Sequence, residues 1–231
     1  MTEIFSNPMF GLTVSISAYF LGVLIFRRFP HPLTTPLLLA TLFVIAFLLL
    51  TGISYDDYYV GGSYLNTLIV PSTVALGIPL YKTFHLMKHH YRSILLGIFI
   101  ATVVNTIYTA LVAKFFGMDY FLAISLFPKS VTTAMAVGIT GKMAGITTIT
   151  LVVVVATGIL TSVLGPLVLK WLKIEDPVVI GLALGGTGHA IGTGAAMKYG
   201  QVAAAMSGLA IGVTGICYVI VSPIVAGIIL N

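Results

Sequence analysis

The sequence predicts an all-α polytopic membrane protein that crosses the bilayer several times. Of its 231 residues, 58% are hydrophobic and 7% are charged, whereas about 25% of the residues of a typical soluble domain are charged. The apolar residues gather in about eight segments, and roughly 20 apolar residues suffice to cross a hydrocarbon core about 30 Å thick. We therefore expect a single transmembrane domain over residues 1–231, in the cell (inner) membrane.

Short stretches with charges, glycines and prolines separate the eight hydrophobic segments. Arg27 and Arg28 follow the first segment, and cytoplasmic loops are enriched in lysine and arginine, so the N-terminus is predicted to be external. An external interfacial loop is expected at 52–64, and a cytoplasmic loop at 82–92. The segments are residues 7–26, 33–51, 65–81, 93–116, 120–141, 146–169, 178–199 and 202–230.

Several classes of function are not supported. The formal net charge is +5, but no basic run interleaved with aromatic residues indicates nucleic-acid binding. His85, His89 and His90 have no cysteine or carboxylate beside them, so neither a metal site nor a cofactor is expected. The sequence contains no paired intramembrane aspartates, no HExxH and no GxSxG motif, and we expect no enzyme activity.

The fifth segment contains a lysine at a membrane depth where charge is costly. The sequence FPKSVTT at 127–133 places Lys129 after a proline, and a lysine at a helix centre costs about 2.5–3.5 kcal/mol on the translocon scale. The six acidic residues all lie near the ends of segments. A lysine without a protein counter-charge predicts an anionic ligand. The alternative is that the side chain extends to the interface.

The seventh segment contains GGTGHAIGTG at 185–194. Glycines allow a ligand to approach the backbone, and a broken helix exposes amide groups that attract anions. Tight helix packing is the alternative explanation for the glycines, but it does not explain the histidine, so a functional role is favoured. His189 can bond a carboxylate or carry a proton, and a histidine that bonds a carbonyl group is the equal alternative. The fifth and seventh segments are thus predicted to be broken or re-entrant helices that meet near the midplane. Their length favours crossing helices broken in the middle.

Together these segments predict one polar binding site. Asn105 in the fourth segment is included, although an intramembrane amide often bonds a neighbouring helix instead. The predicted substrate-binding residues are Lys129, Ser130, Thr132, Thr133, Thr187, His189, Thr193, Gly186, Gly188, Gly192 and Asn105.

A spacing of 57 residues indicates internal repeats. PSTV at 71–74, PKSV at 128–131 and GGTG at 185–188 begin 57 residues apart in each case. Each lies in an interrupted segment that a long uninterrupted segment follows. Interrupted segments at corresponding places in repeats are a pointer to a transporter binding site.

The motifs FPKSVTT and GxxHAIGT, in this order in a chain of this size, resemble the LrgB/CidB family of membrane proteins. VPxxVALGIPLYK at 70–82 extends the resemblance to nearly the whole chain. The family carries the label antiholin-like, which implies control of murein hydrolase export and of cell lysis beside a small LrgA/CidA-type partner. The plant plastidic glycolate/glycerate translocator is similar to a fusion of the two partner types, and bacterial relatives have been linked to pyruvate and acetate.

Two functions follow from the residues and the resemblance. The first is a transporter for small monocarboxylates such as glycolate, glycerate, pyruvate or acetate, with the anion held between broken helices and a proton as the candidate coupling ion. The second is a holin/antiholin-like protein that modulates murein hydrolase export and lysis. The expected partners are the lipid bilayer, a small carboxylate, an LrgA/CidA-type protein and a second copy of the chain in a dimer.

Overall fold

The computed structural model describes residues 7–30, 34–68, 71, 78, 81 and 84–230. Over these ranges the chain forms nine α-helices and two 3₁₀ helices, without a strand, which confirms the all-α prediction. Five of the described helices are long and apolar enough to cross a membrane by length and composition. The third predicted segment, at 65–81, lies mostly outside the described residues.

The chain divides into two compact units, Met1–Ala75 and Leu76–Asn231. The first unit packs its helices over glycines. A Cβ added at Gly22 would lie 2.7 Å from the carbonyl oxygen of Pro36, and one added at Gly11 would lie 2.1 Å from that of Tyr58.

The single domain over 1–231 stays a prediction. The helices of the first unit are α1 (Pro8–Arg28), α2 (Pro36–Thr51) and α3 (Tyr55–Thr67).

The helix α3 replaces the external loop that the sequence predicts at 52–64. Ser54 caps it: the Asp57 amide donates to Ser54 Oγ at 3.1 Å, and Ser54 Oγ donates to Asp57 Oδ2 at 2.7 Å. This pairing resembles a capping box, in which the cap residue and the third helical residue satisfy free backbone donors. The loop prediction is wrong here because these polar residues begin a helix.

In the second unit, α4 (Phe84–Phe115) and α9 (Gln201–Ile229) run side by side in the same direction. Ile94 shares an apolar cluster with Met206, and Lys114 Nζ donates to the carbonyl oxygen of Ile229 at 3.0 Å. The loop predicted at 82–92 is wrong from residue 84 onwards, where α4 begins, because the basic residues extend the helix beyond its apolar part. The α-helices of this unit are α4 (Phe84–Phe115), α5 (Tyr120–Ser125), α6 (Thr133–Lys142), α7 (Thr147–Trp171), α8 (Pro177–Ala196) and α9 (Gln201–Ile229).

The fifth predicted segment folds back on itself at Val131 and Thr132. Both residues are extended, with ψ angles of 173° and 151°. The chain then returns beside its own start, because the Ile146 amide donates to Ser125 Oγ at 2.7 Å and Thr150 Oγ1 donates to the Ser125 carbonyl at 2.9 Å. We call this element the first hairpin; it consists of α5, the 3₁₀ helix Phe127–Ser130 and α6.

The seventh predicted segment, α8, turns back at His189, whose φ of 43° and ψ of −133° are not helical. A Cβ added at Gly192 would lie 2.0 Å from the carbonyl oxygen of Leu184. Ile180 and Ala195 belong to one apolar cluster, although a straight helix would separate them by about 22 Å. We call α8 the second hairpin, with arms 177–188 and 190–196. It does not run straight through, in contrast to the crossing helix that its length favours.

The two hairpins enter the second unit from opposite ends. The first hairpin follows the end of α4. The second follows α7, which begins beside the open end of the first hairpin and runs to the opposite end of the second unit. Their tips approach the same residue of α7: Val131 shares an apolar cluster with Val154, and the His189 ring bonds the carbonyl of Val154. The polar residues of the two motifs are thereby brought into one region.

The 57-residue spacing separates corresponding structural features of the two hairpins. Asp119 and Asp176 cap their first helices, and their side chains accept from Phe121 N and Val178 N at 2.9 and 2.7 Å. The extended residue Thr132 corresponds to His189, 57 positions later. The first predicted copy, around 71–74, lies outside the described residues except for Pro71.

Gly192 and Gly194 provide a test of the second hairpin. We expect Gly192→Ala to destabilise the protein by about 1–3 kcal/mol, because the added methyl group would overlap the Leu184 carbonyl of the opposite arm. Gly194 has no neighbour within 4 Å of an added Cβ, so Gly194→Ala serves as a matched control. Thermal unfolding of the two variants in detergent, followed by the fluorescence of Trp171, measures the difference. Equal stability of the two variants would contradict the packing of the arms.

Candidate functional site

A cavity of about 450 Å³ lies in the second unit, between α4, the first arm of α8, α9 and the tip of the first hairpin. One part of its wall is apolar, and the other part carries hydroxyl, amide and ammonium groups. The apolar part is formed by Ile94, Gly97, Ile98, Ala101, Val179, Leu182 and Ala183. The remaining lining residues are Thr102, Asn105, Lys129, Ser130, Thr157, Gly186, Thr187, Thr214 and Tyr218.

Five of the eleven predicted site residues line this cavity: Asn105, Lys129, Ser130, Gly186 and Thr187. They come from α4 and from the tips of both hairpins. Residues that are up to 82 positions apart in the sequence are therefore brought to one cavity.

Lys129 brings a positive charge to the cavity. It lies at the tip of the first hairpin, and its Nζ donates to the hydroxyl of Thr109 on α4. Among the described acidic residues, Asp119 and Asp176 cap the outer ends of the two hairpins, and Asp56 and Asp57 lie in the first unit. Glu175 directly precedes the second hairpin. Lys129 therefore hydrogen-bonds a neutral group, and its ammonium group is a positive charge on the cavity wall.

Asn105 and Ser130 belong to a hydrogen-bond network that fixes this tip. Asn105 Nδ2 donates to the hydroxyl of Tyr218 on α9 and to Ser130 Oγ at 3.5 Å. Tyr218 is only 1% exposed. Asn105 therefore bonds neighbouring elements, as the alternative interpretation of this amide holds, and it lines the cavity as well.

His189 holds the second tip against α7 and does not line the cavity. Its side chain is 4% exposed, and its Nε2 lies 3.1 Å from the carbonyl oxygen of Val154. Because a carbonyl oxygen only accepts, Nε2 carries the hydrogen. A Cβ added at Gly158 would lie 2.9 Å from the ring, so the glycine gives the ring its space.

Three further predicted site residues support the second hairpin from outside the cavity. Thr193 Oγ1 donates to the His189 carbonyl at 3.0 Å and lies 2.7 Å from Ser207 Oγ. A Cβ at Gly188 would lie 2.6 Å from Thr161. Gly192 contacts the opposite arm, so tight packing accounts for these two glycines in this structure.

Thr132 lies at the reversal of the first hairpin, Thr133 begins α6, and neither residue lines the cavity. The carbonyl of Thr132 accepts from the Ala136 amide at 2.8 Å and so begins α6. The Thr133 side chain is exposed.

The sequence reasoning missed four polar lining residues: Thr102, Thr157, Thr214 and Tyr218. Each lies in a long segment that reads as uninterrupted helix, where a single hydroxyl group does not stand out. The repeat contains a signal that could have found two of them, since Thr157 and Thr214 are 57 residues apart. Ser130 and Thr187, and likewise Lys129 and Gly186, are separated by the same interval.

The chain is similar to proteins of known families over most of its length. A sequence model of the LrgB-like family matches residues 15–228. The uncharacterized protein YxaC of Bacillus subtilis (strain 168) is 38% identical over 196 residues, which cover 85% of each chain. The antiholin-like protein LrgB of Bacillus cereus (strain B4264) is 35% identical over 218 residues, 94% of this chain and 95% of the relative. LrgB of Bacillus anthracis (strain CDC 684 / NRRL 3495) has the same values.

No solved structure matches the chain. The match of the family model, and relatives that are 35% and 38% identical over the aligned residues, confirm the resemblance seen in FPKSVTT and GxxHAIGT. Together with the long apolar helices, they identify a multi-pass membrane protein that belongs to the LrgB-like family.

Proposed function

We propose that this protein is a membrane carrier for small monocarboxylate anions of the glycolate, glycerate, pyruvate or acetate kind. The observation that carries this proposal is Lys129, an ammonium group on the wall of a cavity of about 450 Å³, whose hydrogen bond goes to the neutral Thr109 hydroxyl. A buried charge is stabilised by an opposite charge that hydrogen-bonds to it. A carboxylate in the cavity supplies that charge.

The hydroxyl groups beside Lys129 suit the same ligand. Ser130 and Thr187 come from opposite hairpins, and both line the cavity. A hydroxyl group donates one hydrogen bond, and a carboxylate accepts several. The lysine provides a single positive charge, which favours a cargo with one carboxylate over one with two or three.

The hairpins give this site its depth in the membrane. The arm 177–188 contains 12 residues, and at 1.5 Å per residue it is about 18 Å long. A tip at this distance from the surface lies near the middle of a hydrocarbon core about 30 Å thick. In this proposal the two hairpins are re-entrant, enter from opposite faces and meet near the midplane, as inverted repeats do in many transporters.

The charges of the loops orient this arrangement. With re-entrant fifth and seventh segments, Lys114 and Lys142 of the second unit lie on one side of the membrane. Five described basic residues of this unit lie on the other side: Lys88, Arg92, Lys170, Lys173 and Lys198. By the positive-inside rule the side with fewer basic residues is the external one.

A holin/antiholin-like role is the second candidate, and the names of the relatives favour it. The Bacillus cereus and Bacillus anthracis proteins are called antiholin-like protein LrgB. In this role the protein modulates murein hydrolase export and lysis. A pore formed by oligomers does not need a lysine and paired hydroxyl groups in an internal cavity, and this is why we place the carrier first. Neither role involves catalysis.

A second copy of the chain and a small LrgA/CidA-type protein are the proposed partners. The outer face of α4 offers an apolar surface for lipid or for such a partner, since its large side chains are well exposed. They include Leu96, Ile100, Val104, Tyr108, Leu111 and Phe115.

The re-entrant topology predicts which loops share a side of the membrane. In a Cys217→Ser background, single cysteines at Met118 and Ala144 should both react with an impermeant maleimide added outside intact cells. Cysteines at Lys173 and Met197 should react only after permeabilisation, because each hairpin returns to the side from which it enters. Labelling of 118 and 144 from opposite sides would show that the fifth segment crosses.

Lys129→Met should lower the uptake of labelled glycolate into proteoliposomes by about 10- to 100-fold, because a hydrogen bond to a charged group contributes about 1.5–3 kcal/mol. Methionine keeps the aliphatic stem and removes the charge. Lys142→Met, at the exposed end of α6, is the matched control and should leave uptake unchanged. Wild-type uptake by a folded Lys129→Met protein would refute the role of the lysine.

A carrier and a pore also differ in what they release. Proteoliposomes that contain the chain should take up glycolate with saturation and should retain entrapped carboxyfluorescein, because in this proposal the anion binds to a specific site and no open pore forms. Co-reconstitution with an LrgA/CidA-type partner provides a second arm of the same measurement. Dye release without saturable uptake, in both arms, would favour the holin-like role.

A further inference from the structure

The hydroxyl group of Thr214 differs from those of the buried threonines of α4. Its side chain is 3% exposed, and its Oγ1 has no hydrogen-bond partner among the described residues. By contrast, Thr102, Thr106 and Thr109 of α4 each donate to the carbonyl four residues earlier, at 2.7–2.8 Å. The same bond is open in principle to any threonine within a helix. The side chain of Thr214 lines the cavity instead.

Gly186 of the second hairpin faces this hydroxyl group. A Cβ added at Gly186 would lie 3.4 Å from Thr214 Oγ1, which is the contact distance at which a methyl group would cover the oxygen. Glycine places no side chain at this position, so the residue itself does not cover the hydroxyl group. A buried hydroxyl group without a partner is costly, so a ligand that bonds it gains affinity.

The internal repeat sets Thr214 within a paired arrangement. Thr157 and Thr214 lie 57 residues apart, and both line the cavity, as Ser130 and Thr187 do. The positive charge of Lys129 has no counterpart in the second repeat, because the residue 57 positions after Lys129 is Gly186. Beside Thr214 the second repeat therefore has a glycine at the position where the first repeat has a lysine.

We infer that Thr214 is a specificity-determining residue that hydrogen-bonds a hydroxyl or oxo group of the cargo, while Lys129 holds its carboxylate. This inference rests on the proposed carrier function and narrows the substrate class to hydroxy- and oxo-monocarboxylates over unsubstituted ones. A site that is built to bond a hydroxyl group rejects the analogue that lacks it, because the polar group of the protein is then left unpaired.

Glycolate and acetate test this inference, since they differ by one hydroxyl group. Uptake of labelled glycolate into proteoliposomes is measured against increasing unlabelled glycolate or unlabelled acetate. In the wild type, half-inhibition should need about tenfold more acetate than glycolate, as expected for one hydrogen bond. Thr214→Val, which keeps the shape of the side chain, should bring this ratio close to one by weakening glycolate. Thr214→Ser should retain it.

Ser222 provides a matched control on the same helix. Its Oγ is also buried without a partner in the described part of the chain, but Ser222 does not line the cavity. Ser222→Ala should therefore leave the ratio unchanged. Gly186→Ala, in contrast, should lower it, because the added methyl group covers the Thr214 hydroxyl.

The outcomes separate this inference from the proposed function. A wild-type protein that takes up no glycolate, alone or with an LrgA/CidA-type partner, overturns both. Uptake with an unchanged ratio in Thr214→Val overturns the role of Thr214 and leaves the carrier standing. Equal changes in Thr214→Val and Ser222→Ala also overturn it, because they would reflect the packing of α9.

Discussion

The second unit depends on satisfying the backbone where the chain reverses inside an apolar helical assembly. A helix bonds its own amide and carbonyl groups, but a reversal interrupts this pattern, and each unsatisfied group costs several kcal/mol in lipid. At the first tip, Val131 N donates to the Pro128 carbonyl at 3.3 Å. At the second tip, Thr193 Oγ1 donates to the carbonyl of His189. Local bonds of this kind allow both reversals to be buried among neighbouring helices.

The side chains at the two tips add contacts to the neighbouring helices, and the two tips do so differently. Asn105 and Tyr218 fix the first tip through Ser130, and the His189 ring fixes the second through the carbonyl of Val154. The histidine carries out this role with one ring nitrogen and a backbone acceptor, so its position is specified by packing. The polar groups that remain for a ligand are those of Lys129 and the hydroxyl groups around the cavity.

The all-helical class and the long apolar segments could be predicted from composition, because a chain with 7% charged residues cannot cover itself with polar surface. The direction of the chain after His189 could not. A broken helix that continues and one that turns back have the same length and the same glycines. What separates them is the contact of Gly192 with Leu184, which depends on the three-dimensional path. The start of α3 at Tyr55 was missed for a local reason, since Ser54 and Asp57 form a cap that also reads as a polar loop.

The candidate site was partly visible in the sequence for the same reason. Residues that break an apolar pattern, such as Lys129 and the glycine cluster, are conspicuous, and several of them line the cavity. Thr157 and Thr214 are single hydroxyl groups in regular helices, and only the fold separates them from threonines that bond their own helix. Conversely, Gly188 and Gly192 are as conspicuous as Gly186, yet they are needed for close packing against Thr161 and Leu184.

The order of elements in each repeat has a consequence for the orientation of the two halves. A repeat made of one hairpin and one long helix starts at one end of the second unit and finishes at the other. The next repeat therefore starts where the first finishes and runs in the opposite direction, although its sequence pattern is the same. Two such repeats in tandem form two facing halves, and these differ in charge because Lys129 of the first corresponds to Gly186 of the second.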